Sequence, residues 1–211
     1  MIIPGVDVKD FETIKKQVAL VGSSTRLIQI DVADGKLVDG ETFLNIVRLN
    51  EIQTQAKFDI DLMVENPLKF LEEKIANAIK ISMLIDAENY IQDFLGKAKS
   101  FGYKVGLSIR PTTDIVKLDP YIDKLDYVQF FAIKPGGSGR PFQVEVLEKI
   151  QSFAQKYPRI PIQVDGGIDK DYLALVLKAG ATDVIITSHI FGTENPEKAL
   201  KELQLAQKYD N

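Results

Sequence analysis

Three aspartates in this chain stand where a carboxylate is costly. Asp31 falls in the run Leu27–Val32, Asp61 in Phe58–Val64, and Asp165 closes Ile160–Val164. A charge set among aliphatic neighbours persists only if it is paired, hydrogen-bonded or metal-bound. Capping a helix or bonding a loop amide would account for one such aspartate; three on separate segments point to one shared site. Side chains two residues apart in a strand share a face, so Gln29 accompanies Asp31 and Asp59 accompanies Asp61.

A second group of residues suits an anion. Gly136, Gly137 and Gly139 surround Ser138, and Gly166-Gly167 follows Asp165. Glycines let backbone N–H groups approach an anion closely, although one Gly-Gly pair alone is also what a tight turn needs. Two such clusters on consecutive loops favour a phosphate. His189 is the only histidine, and a lone loop histidine is more often structural or solvent-facing than functional.

These residues need a frame. Eight short apolar runs are predicted as strands: Ile2–Pro4, Leu27–Val32, Phe58–Val64, Ile79–Ile85, Tyr103–Ile109, Tyr127–Phe131, Ile160–Val164 and Asp183–Thr187. Helical patterns separate them at Asp10–Leu20, Glu41–Leu49, Pro67–Ala76, Asn89–Phe101, Phe142–Lys156, Asp169–Lys178 and Asn195–Gln207, with a shorter one within Asp114–Asp123. Asp169 and Gly180 bracket one helix as cap and stop, and Pro196 suits a first helical position. Strict βα alternation implies a parallel sheet with helices outside. Eight units in 211 residues fit a small closed (β/α)₈ TIM barrel, an α/β fold, with residues 1–211 as one domain. An open doubly wound sheet is the rival, but the first turn, Pro4-Gly5-Val6-Asp7, lacks its glycine fingerprint. In a barrel, chemistry belongs at the carboxyl ends of the strands, where both residue groups fall.

Composition narrows the partners. Net charge is −4 with no basic block, which argues against nucleic acid or an anionic membrane surface. There is no cysteine, hence no disulfide, thiolate metal site or cysteine nucleophile. The N-terminal MIIPGVDVKDF has no secretory pattern, and no apolar run approaches a membrane span. The expectation is a cytoplasmic protein.

The same strand ends carry a family resemblance. Pro4-Gly5, Asp31-Val-Ala-Asp34-Gly35, Leu62-Met63-Val64-Glu65-Asn66-Pro67, Pro135-Gly-Gly-Ser-Gly139, Val164-Asp165-Gly166-Gly167-Ile168 and Ser188-His-Ile-Phe191-Gly192 occur in order from residue 3 to about 195. Together they resemble the ribulose-phosphate 3-epimerases, barrels that interconvert ribulose 5-phosphate and xylulose 5-phosphate. The resemblance implies Asp31 and Asp165 as the acid/base pair at C3. It implies backbone groups at Gly136, Gly137, Ser138, Gly139, Gly166, Gly167, Thr187 and Ser188 as the phosphate cradle. It also implies a phosphorylated sugar as partner and self-association into a homo-oligomer.

The family's metal-binding histidines are replaced. Gln29 and Asp61 stand where strands 2 and 3 carry His in the family, Asp86 stands where strand 4 does, and Gly5 replaces a serine. The corresponding metal set is Gln29, Asp31, Asp61 and Asp165, an all-oxygen set suited to Mg²⁺ or Mn²⁺ rather than Zn²⁺. Without a cation, two carboxylates about 4 Å apart repel by roughly 4 kcal/mol at an effective dielectric of 20. A cation, a shared proton or a basic side chain must offset that, with Lys134 and Arg110 as candidates for the last. Two readings stay open: an epimerase with an altered or absent metal site, or a sugar-phosphate-binding barrel that has lost the chemistry. A decarboxylase or hexulose-phosphate synthase is disfavoured, because strand 3 lacks the Asp-x-Lys-x-x-Asp pattern.

Overall fold

The computed structural model describes residues 1–209. Eight parallel strands close into a barrel in chain order: β1 Ile2–Val6, β2 Leu27–Ala33, β3 Lys57–Met63, β4 Ala78–Leu84, β5 Lys104–Ile109, β6 Tyr127–Phe131, β7 Ile162–Asp165 and β8 Asp183–Ile186. The β1–β8 pairing seals the ring, with Ile3 opposite Ile185. The α-helices are α1 Phe11–Val21, α2 Ile91–Ser100, α3 Val146–Lys156, α4 Lys170–Ala179, α5 Ser188–Phe191 and α6 Pro196–Tyr209. Among the described residues no helix is long and apolar enough to cross a membrane.

Alternation along the strands sorts the residues into two compartments. Ile28, Ile30 and Val32 of β2, with Phe58, Ile60 and Leu62 of β3, belong to the large apolar cluster that also holds Phe11, Ile14 and Val18 of α1 and Ile150 and Phe153 of α3. Each such side chain contributes about 1.5–3 kcal/mol when fully buried, so this layer between sheet and helices is the main stabilising core. The alternate positions carry Gln29, Asp31, Asp59, Asp61, Lys80, Ser82, Ser108, Gln129, Gln163 and Asp165, all buried. The interior of many such barrels is layered with branched aliphatics; here it is largely polar.

Register brings these residues into neighbouring tiers. Gln29 lies opposite Asp59 and Asp31 opposite Asp61, Asp61 opposite Ser82, Ser108 opposite Gln129, and Gln129 opposite Gln163.

Three predicted helices are corrected. Within Glu41–Leu49 only a 3₁₀ helix, Ile46–Glu51, forms, because residues 41–43 bond elsewhere. Thr42 N–H donates to Ala33 and Phe43 N–H to Val8, and Asp34 bridges Glu41, so the segment folds back over the barrel end. Pro67–Ala76 shortens to a 3₁₀ helix, Pro67–Leu71. The Tyr103 hydroxyl takes Ile75 N–H and Asn50 takes Ala76 N–H, replacing the helical acceptors. Phe142–Lys156 starts only at Val146, since Gln143 N–H bonds Ala132. The Asp114–Asp123 stretch is a 3₁₀ helix, Ile115–Lys124, with Pro120 inside it. Asp169 caps α4 by accepting from Asp171 and Tyr172 N–H, and left-handed Gly180 ends it.

Candidate functional site

At the carboxyl end of the barrel a pocket gathers most of the expected residues. Its lining includes Asp31, Asp165, Gly136, Gly137, Ser138, Gly139, Gly166, Gly167, Thr187 and Ser188. These come from β2, β7 and the loops after β6, β7 and β8.

The two aspartates meet through an amide. Gln29 Nε2 donates to Asp31 Oδ1 at 2.7 Å and, more weakly, to Asp165 Oδ2 at 3.4 Å. Both carboxyls are pushed well above the usual range. Burial is the main cause for each; the charges of Asp165, Asp61 and Asp7 add to it for Asp31, and those of Asp61 and Asp7 for Asp165. Thr42 steadies β2 here: its hydroxyl donates to Asp31 carbonyl at 2.7 Å and accepts from Ala33 N–H at 2.9 Å.

Asp61 is fully buried beneath this pair. Its carboxylate accepts from Ser82 Oγ at 2.7 Å and Gln129 Nε2 at 2.8 Å. Burial raises its pKa to about 7, against the lowering effect of hydrogen bonds such as that from Ser82.

The four members of the expected metal set therefore share one end of the barrel without turning their donors to one point. Gln29 shows the aspartates its N–H₂, its Oε1 accepts from Gln163 Nε2 at 2.8 Å, and both oxygens of Asp61 face donors. Among the described residues no cluster of three or more His, Cys, Asp or Glu is arranged to hold a metal ion. In this arrangement the donor set does not fit a cation.

Neither proposed basic side chain reaches the pair. Lys134 ion-pairs with Asp39 at 2.6 Å on the surface, while Arg110 is held by Asp86 at 3.0 Å and by the Leu37 carbonyl. The buried cation is Lys80 on β4, which donates to Gln163 Oε1 and lies 3.2 Å from Asp59. Its place in the alternation Lys80-Ile-Ser82-Met marks it as inward-facing in the same way that Asp59-Ile-Asp61 is marked.

The glycine loops are built around close approach. Gly166 has φ +107°, and a Cβ there would stand 2.4 Å from Ile133 Cγ1, so only glycine fits. The loop after β6 meets Asp7, whose carboxylate accepts Ser138 N–H at 3.0 Å; burial raises Asp7 above its ordinary pKa. Asp7 and Lys9 join the pocket wall, although sequence reading passed over both. His189 is exposed and borders a separate surface hollow with Asp169 and Lys170.

Comparison with known proteins adds ancestry to this geometry. A family model described as "Ribulose-phosphate 3 epimerase family" matches residues 1–191. The ribulose-phosphate 3-epimerase of Aquifex aeolicus is 30% identical over 212 residues, covering 97% of this chain and 95% of that protein. That of Schizosaccharomyces pombe is 27% identical, covering 96% and 92%. Among solved structures, 3-hexulose-6-phosphate synthase from Salmonella typhimurium superposes with a TM-score of 0.76 at 16% identity, covering 100% of this chain and 99% of that one. Orotidine 5'-monophosphate decarboxylase from Sulfolobus solfataricus gives 0.67 at 12%, covering 99% and 98%. At those identities the structural likeness speaks to the fold.

Proposed function

Because the chain belongs to the ribulose-phosphate 3-epimerase family, we propose that it inverts C3 of a small ketose phosphate, ribulose 5-phosphate or xylulose 5-phosphate. The observation that carries this reading is the buried Asp31–Asp165 pair, joined by Gln29 at the floor of a pocket rimmed by glycine loops. Epimerisation requires a base on one face of the carbon and an acid on the other. Two adjacent buried carboxyls with raised affinity for protons supply both, since like charges so close favour a single shared proton. One aspartate takes the C3 proton, made labile by the neighbouring C2 carbonyl, and the other returns a proton to the opposite face.

The phosphate end fits the same pocket. Gly166 and Gly167 directly follow Asp165, so one β7 turn carries both an acid/base group and part of the proposed cradle. The loop of Gly136, Gly137, Ser138 and Gly139 and the turn at Thr187 and Ser188 complete it. Backbone N–H groups freed by left-handed glycines suit a phosphate better than a flat surface would.

The test is exchange at C3 of ribulose 5-phosphate in D₂O, followed by NMR together with the appearance of xylulose 5-phosphate. We expect wild-type turnover, and Asp31→Asn and Asp165→Asn should each lower it by about 10²–10⁴-fold. Turnover unchanged in both variants would reject the assigned roles. Tight binding of the sugar phosphate by calorimetry without any exchange would leave the binding-only barrel.

A further inference from the structure

The barrel interior has a direction. Lys80 has only donors to offer, and it is held at Asp59 Oδ2, 3.2 Å away, and near Asp183 at 3.6 Å, over the ring of Tyr127. Its ammonium donates to Gln163, so Gln163 must present its Oε1 there and its N–H₂ on the other side. That N–H₂ reaches Gln29 Oε1 at 2.8 Å, Asp59 Oδ2 at 2.9 Å and Gln129 Oε1 at 2.6 Å. Its two hydrogens are shared among these three acceptors, and because a nitrogen of Gln29 or Gln129 turned toward it would meet a donor, both amides present oxygen there. Gln29 is left with its N–H₂ toward Asp31 and Asp165, and Gln129 with its N–H₂ toward Asp61 at 2.8 Å.

We infer that Gln29 occupies the place of a divalent cation: its N–H₂ group bridges the aspartate pair, Lys80 fixes the direction of that amide through Gln163, and the pair works without a bound metal. The catalytic half of this inference rests on the epimerase reading; the donor polarity and the metal-binding consequence do not. A cation approaching the pair would meet the Gln29 N–H₂ rather than an oxygen, and would find both Asp61 oxygens engaged. Lys80, Gln163 and Gln29 are thus positioning residues, all buried.

Direct metal titration is the decisive experiment. EDTA-treated wild type is titrated with Mn²⁺ and Zn²⁺ by calorimetry, and melting is followed with and without each ion. We expect no stoichiometric binding and no shift; stoichiometric uptake by wild type overturns the inference. The Gln163→Glu variant keeps an acceptor for Lys80 but can no longer donate to Gln29. Its new carboxylate turns the Gln29 N–H₂ toward itself and the Gln29 oxygen toward the aspartates. We expect at least about tenfold tighter Mn²⁺ binding than in wild type, the scale on which outer partners tune metal affinity. Should that variant not fold, Gln29→Glu, which puts an oxygen beside the pair directly, should show the same gain.

Equal Mn²⁺ affinity in wild type and a folded variant also overturns the inference. C3 exchange by wild type should be unaltered by EDTA. A wild type that neither binds Mn²⁺ nor exchanges C3, with a variant that gains Mn²⁺, removes the epimerase reading and leaves the polarity intact. Exchange that depends on a stoichiometric metal does the reverse.

Discussion

Asp7 accepts the Ser138 amide at the very loop proposed to hold a phosphate. A carboxylate there competes for the donor and repels the incoming anion. Asp7→Asn keeps an oxygen for Ser138 and removes the charge, so inorganic phosphate and ribulose 5-phosphate should bind roughly three- to tenfold more tightly by calorimetry. Unchanged or weaker binding would place the anion away from this loop. Asp31 and Asp165 were legible in sequence because each is a carboxylate in an aliphatic run, a pattern that calls for a physical reason. Lys80 and Gln163 carry the same alternation signal, two residues before Ser82 and Asp165, but a lysine or glutamine at such a position points to no particular chemistry by itself. Gln29 was legible as a position, but its amide direction was not, because that direction is set by a lysine two strands away.

Strands were the most legible elements, since short β-branched runs with period-two alternation survive any context that buries both faces. The β2 and β3 loops were not. Residues 41–43 have helical spacing, yet their N–H groups bond Ala33 and Val8, and Asn50 and Tyr103 side chains claim the end of the 67–76 segment. Such captures depend on partners far along the chain and leave no local trace. Where backbone geometry is extreme, sequence does speak: the Gly166-Gly167 turn requires left-handed conformations with Ile133 packed against it. Gly166→Ala should cost about 1–3 kcal/mol in urea unfolding and raise KM for the sugar phosphate. Native-like stability and KM would show that the loop has room to relax.

Across the whole molecule, buried carboxyls set an unusual pH response. Asp31, Asp165 and Asp61 are all raised, Asp61 to about 7, whereas an aspartate in the unfolded chain titrates near pH 4. Between about pH 4 and 7 the folded state therefore binds more protons than the unfolded one. The contribution of these groups to stability is complete below the unfolded value and is lost as pH rises through the folded values. Exposed carboxylates held low by cations, such as Glu65 beside Lys36 and Asp119 beside Lys156, have the opposite dependence, and only below about pH 4. Melting temperature should rise as pH falls from 8 to 6; a flat or falling profile would show that water or ions neutralise the interior.

The polar lining of the barrel also bears on how the chain escapes aggregation while it folds. An open, half-wound sheet of these strands has one greasy face and one face of amides, hydroxyls and carboxylates. Helices cover the greasy face as each βα unit completes, and water covers the other until the ring closes. Long-lived parallel-sheet intermediates are usually adhesive on exposed apolar surface. In this chain much of the concave side of such an intermediate is hydrophilic, and the apolar part left to cover at the last seam, β1 against β8, is the small cluster of Ile3, Leu27 and Ile185.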